Sequence, residues 1–217
     1  MAKSLPDIKY IESNNNPTID SDNSFFVIPF YKDEEFLSNF ESYNSFVNAC
    51  EKMVRTSKRY SAYISYLKND VGLHNFQVFA NVTDLDGKKG CIEMHHGPIF
   101  TLYDYCAIII EYFRLKNKKI TTFRIADAVL KEHELNHVQV VMLSKTAHQE
   151  VHNRNIFLNY KQGFGDICAF LSKYKEALSD YYKTKINNYI ERSCRENSDD
   201  YELFQLNKNI IKSLEGK

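Results

Sequence analysis

The chain has 217 residues and 25.5 kDa, of which 43% are hydrophobic and 14% aromatic. That suffices for one sizeable core, or a core plus an appendage, and is too apolar for wholesale disorder. Lys+Arg and Asp+Glu both number 28, which excludes a globally basic nucleic-acid binder but not a local basic face. No apolar run approaches the roughly 18 residues of a membrane span, and no apolar stretch follows Lys3 to suggest a signal peptide.

In chain order, residues 1–23 are polar and Asn-rich (Asn14–Asn16) and are expected to form a flexible arm. Phe25–Phe30 is a short strand candidate. Residues 34–69 read as helical, because Tyr60, Tyr63, Ile64, Leu67 and Val71 follow the spacing of one buried stripe. Phe76–Val82 alternates as a half-buried strand, Asp84–Gly87 is a tight turn, and Gly90–His95 is the partner strand. Thr101-Leu-Tyr-Asp104 is a capping box opening a helix to about Lys116. Thr121 or Thr122 caps a second helix, to about Glu134. Val138–Leu143 is β-branched and apolar, hence a strand, and Ser144 caps a helix carrying His148 and His152. Phe164 to Leu178 marks an amphipathic helix, and residues 180–214 add one or two more, as a C-terminal tail over 179–217.

The zero net charge hides an asymmetry. Residues 1–51 carry a net charge of −6, residues 52–175 of +7, and residues 176–217 of −1. Two stretches concentrate the positive charge. One holds Lys52, Arg55, Lys58 and Arg59; the other holds Arg114, Lys116, Lys118 and Lys119, continuing to Arg124. Both can be solvated helix ends or phosphate contacts. The five cysteines are scattered with no CxxC pair, which argues against a disulfide framework or a cysteine-based zinc knuckle.

All seven histidines lie between residues 74 and 152. His95 and His96 are adjacent on a strand, so their rings project to opposite faces. His148 and His152 stand at i, i+4 on one helix face, spaced to chelate one cation. His133 and His137 read as helix-end or core histidines. Glu93 and Glu150, near these histidines, read as solvent-facing carboxylates, or as hydrogen-bond partners of the rings if these hold a metal.

From Cys91 to about Asn153 this order of strand, histidine pair, strand and HxxxH helix resembles the HNH endonuclease family. The strings Val54–Tyr60, His95–Asp104, Leu143–Asn153 and Phe164-Gly165 with Phe170 are similar to a set of bacteriophage HNH-like proteins. The resemblance implies an α+β fold, with a ββα-metal (HNH-like) core over residues 71–178. A helical insertion of about forty residues lies between His96 and Gln139, and a mainly helical segment, 24–70, packs on the core. It implies His96 as general base. His95 and His148 would be ligands of one divalent ion (Mg, Mn, Ni or Zn), with His152 one turn on. The family's middle Asn, which braces the loop holding the base, is replaced by Gln139, and Ser144 and Ala147 stand where framing cysteines often occur.

The function so implied is a metal-dependent endonuclease acting on nucleic acid, DNA favoured, in the cytoplasm of a bacterial host. Arg55, Lys58, Arg59, Arg114, Lys116, Lys118 and Lys119 would hold the phosphate backbone. The alternative is a catalytically inactive module that binds nucleic acid, or a phage regulatory protein that binds a host protein through the acidic front or the C-terminal helices.

Overall fold

A computed structural model describes residues 34–73, 92–197 and 199–215. The N-terminal arm, the Phe25–Phe30 strand, His74, the Phe76–Val82 strand and the Asp84–Gly87 turn lie outside the described residues. The helical stretch expected over 34–69 is three helices: α1 (Glu34–Ser38), α2 (Phe40–Thr56) and α3 (Lys58–Asn69). The breaks fall at polar residues in extended conformation. Asn39 accepts from the Ser42 amide at 2.9 Å to open α2, and Ser57 accepts from the Tyr60 amide at 3.1 Å to open α3. Each side chain satisfies an amide that has no partner within its own helix.

Strand β1 (Ile92–His96) pairs antiparallel with β2 (Val140–Ser144), with Glu93 opposite Leu143, His95 opposite Val141 and His96 opposite Val140. Between the strands lie α4 (Leu102–Leu115) and α5 (Thr122–Glu134). The Thr101–Asp104 capping box is present as read, and Thr121 is the cap of α5. α4 is buried almost all round, from Leu102 through Ile108, Ile109 and Ile110 to Phe113, as suits the central helix of a bundle. α2 lays Phe46, Val47, Cys50 and Val54 into the same core.

Helix α6 (Lys145–His152) leaves directly from the end of β2. The expected Phe164–Leu178 helix is shorter, α7 (Ile167–Tyr174). Phe164 is instead tied to Val140 by a reciprocal pair of backbone hydrogen bonds, both 2.8 Å. Gly165 follows at φ +113°, where a Cβ would sit 2.3 Å from the Val138 carbonyl oxygen. No residue other than glycine fits that approach. α8 (Asp180–Glu196) and α9 (Tyr201–Glu215) complete the chain, joined through the Asn207 amide donating to Ser193 Oγ at 3.1 Å. One hydrophobic core runs from Phe46 in α2 to Ile210 in α9. Among the described residues the architecture is α+β, helix-rich around a small two-stranded sheet. Among the described residues, no helix is long and apolar enough to cross a membrane.

Candidate metal centre

Alternation along β1 places Glu93 and His95 on one face and His96 on the other. The first face looks onto α6. There Ser144 accepts from the Ala147 amide at 3.3 Å and starts the helix at the end of β2, so His148 and His152 fall one turn apart above β1. The ring of His95 packs edge-on against both, with centroids 4.9 Å from His148 and 5.1 Å from His152. One ring nitrogen from each of the three histidines lies within 4.8 Å of the other two. His148 Nε2 and His152 Nε2 are 3.1 Å apart.

The protonation pattern follows from Glu93. Its Oε2 lies 2.8 Å from His148 Nδ1, and a carboxylate only accepts, so Nδ1 carries the hydrogen and Nε2 is the nitrogen turned towards His152. Burial pushes His95 down to about 4, and the charges of His148 and His152 add to the shift. His152 is held below its ordinary value by desolvation, then by His148. Desolvation therefore favours the neutral form of His95 and His152, the form that binds metals. His95 also lines an open cleft of about 390 Å³, bordered by Arg154, Lys185 and Arg192.

His96 points the opposite way, into the core. Its Nε2 lies 3.0 Å from His133 Nε2, and Tyr60 stacks on it at 6.1 Å. His133 Nδ1 donates to the Val129 carbonyl at 2.8 Å, so the neutral ring accepts from His96 at Nε2. Burial holds His96 well below its ordinary value. The expected general base is thus a buried donor to another ring, with 4% of its surface accessible. A base acting on water must reach water, and this one does not. Gln139 is likewise interior. Its Nε2 donates to the Tyr160 carbonyl at 3.2 Å, its backbone amide donates to Tyr105 Oη at 3.0 Å, and Gly163 leaves room for its side chain. It braces the core rather than a catalytic loop.

The basic stretches are partly engaged in ion pairs. Arg59 grips Glu134 with two hydrogen bonds of 2.7 Å and Asp127 with one of 2.6 Å. Arg55 pairs with Glu51, Arg114 with Glu111, and Lys116 with Glu176. Lys118 lies over the Tyr112 and Phe113 rings, 5.2 Å from each centroid. Lys58 is exposed at the start of α3. Sequence reasoning missed one buried charge. Glu132 is 1% exposed, held by Lys173, the Tyr174 hydroxyl and His137, yet it sits in a Lys-Glu-His-Glu run that reads as a solvated helix end.

A family model matches residues 3–217, and what it describes is a protein of the phage particle. The chain belongs to the bacteriophage G278-like virion protein family. No curated protein and no solved structure matches it. The phage origin implied by the sequence agrees with this family. The endonuclease reading does not: a virion protein family spanning almost the whole chain overturns it, and gives no support to the regulatory alternative.

Proposed function

We propose that this chain is a structural component of the phage particle, held there by contacts with neighbouring virion proteins. The observation that carries this reading is the family match over residues 3–217. The surface supports it. Tyr201, Phe204 and Ile211 stand three and seven residues apart along α9 and are 74%, 54% and 40% exposed. Grouped apolar side chains left in water mark surfaces that another protein covers.

The test is the composition of purified particles. Density-banded virions analysed by quantitative mass spectrometry should contain the chain at a fixed copy number. Particles from a phage carrying a stop codon at its start should lack it and be defective in assembly or infection. Absence of the chain from washed wild-type particles would overturn the reading.

A further inference from the structure

We propose that His95, His148 and His152 form a binding site for one divalent transition ion of the zinc class, which clasps β1 to α6. This inference is independent of the virion reading, because it stands on the ring positions alone.

Three ring nitrogens converge from two elements, within 4.8 Å of one another and with the closest recorded pair at 3.1 Å. Nitrogens bound to a tetrahedral zinc at about 2.05 Å are about 3.4 Å apart, so the widest pair needs to close by at most about 1.4 Å. The terminal ring torsion of histidine is broad, and a small rotation supplies that movement. The hydrogens are compatible as well. His148 keeps its hydrogen on Nδ1 because Glu93 accepts it, leaving Nε2 free for the ion. Across the 3.1 Å contact His152 Nε2 donates to His148 Nε2, and moving that hydrogen to His152 Nδ1 frees both Nε2 atoms for the ion.

Glu93 has the position of a supporting partner. It stands two residues before His95 on β1, on the same face, and receives the far nitrogen of a ligand ring at 2.8 Å. Carboxylates placed in this way fix the orientation of metal-bound histidines and raise their basicity. Three imidazoles select zinc, nickel, cobalt or copper over magnesium and calcium, which prefer oxygen donors. The fourth position is left for water or a side chain from a neighbour.

The mechanical consequence follows from the topology. His95 and His148 are separated in sequence by α4 and α5, and the ion would close that long loop at a single point. A ligand that binds only the folded arrangement stabilises it by mass action.

The experiment uses the full chain, stripped with EDTA and titrated with zinc against a chromophoric chelator at neutral pH. Uptake should be one ion per chain, undisturbed by magnesium in roughly thousandfold excess. Cobalt(II) should give the visible absorption of a four-coordinate, imidazole-rich site, and saturating zinc should raise the thermal unfolding midpoint. His152→Ala removes an exposed ring and should leave the far-ultraviolet circular dichroism unchanged. It should weaken zinc binding on the order of 100-fold, and Glu93→Gln on the order of 10-fold. The proposal is overturned if the wild-type chain takes up no stoichiometric zinc, or if folded His152→Ala binds it as tightly as wild type. Either result would leave the three rings as a hydrogen-bonded cluster only.

Discussion

At the scale of single residues, the sequence shows spacing but not distance. The i, i+4 spacing of His148 and His152 and the period-two alternation of Glu93, His95 and His96 are local rules, and the rings stand where those rules put them. The His96–His133 contact is not local, since its partners are 37 residues apart and meet only in the folded chain, where α5 packs against α2, α3 and α4. Adjacent histidines with opposite fates, one facing α6 and one buried against His133, cannot be ranked from the dipeptide alone. The buried pair carries a pH dependence. Burial pushes His133 from 6.5 down to about 4, with Arg55 acting in the same direction and Glu132, Glu134 and the Val129 carbonyl opposing. Its other neighbours are His96 and the Tyr60 and Tyr63 rings. The folded state favours the neutral ring, so its contribution is complete above about pH 6.5, is lost as pH falls towards 4, and changes no further below that. Within that window the slope for one proton is about 1.4 kcal/mol per pH unit. Urea midpoints measured from pH 7 down to 4 should fall accordingly. His133→Gln, which keeps a neutral hydrogen-bonding side chain, should start less stable and fall less steeply. Parallel curves for the two proteins would refute the assignment.

At the scale of elements, helix starts were legible because they rest on neighbouring residues: Thr101, Thr121 and Ser144 each cap the helix that follows. Helix ends were less so. The break at Ser57 falls just before the Tyr60–Val71 stripe on which the helical reading of 34–69 rested, and α7 starts late because Phe164 is held in a bridge to β2 and Gly165 turns the chain. Asp104 shows how a local signal can conceal a tertiary one. Its Oδ2 accepts from the Thr101 amide at 2.7 Å, as the capping box requires, and also from Lys185 Nζ in α8 at 2.6 Å. The carboxylate is buried, so removing it opens the box and leaves the ammonium facing the gap. Asp104→Ala should cost about 3 kcal/mol, combining a lost cap with a broken, largely buried ion pair. Lys185→Met should cost about 1 kcal/mol, because both Thr101 donors still satisfy Asp104 and the aliphatic stem remains. Denaturant unfolding of the two variants checks the order. Equal losses would mean that the cap contributes nothing beyond the ion pair.

At the scale of the whole molecule, fold class was readable and function was not. The apolar periodicities sum to a helix-rich α+β protein whichever chemistry it hosts, and histidines placed to meet a cation do not specify a reaction. A nuclease needs a base that touches water. The chain has the ring at position 96, but the packing of α3 and α5 takes it out of reach. What the surface offers instead is contact area, and the last prediction concerns it. On α9, Leu203, Asn207 and Ile210 are buried, while Tyr201 and Phe204 are 74% and 54% exposed and lie outside the buried core. Tyr201→Ser with Phe204→Ser should therefore change the stability of the isolated chain by no more than about 0.5 kcal/mol for each substitution, the range of surface changes away from caps and cores. In the particle the same pair should matter. Copies of the chain per virion should fall at least several-fold when the double variant competes with wild type during infection, because assembly would lose the aromatic anchors that dominate protein contacts. Incorporation equal to wild type, with stability unchanged, would show that α9 faces solvent in the virion and would move the search for the interface to Phe40 on α2 and Phe123 on α5, which are 77% and 70% exposed.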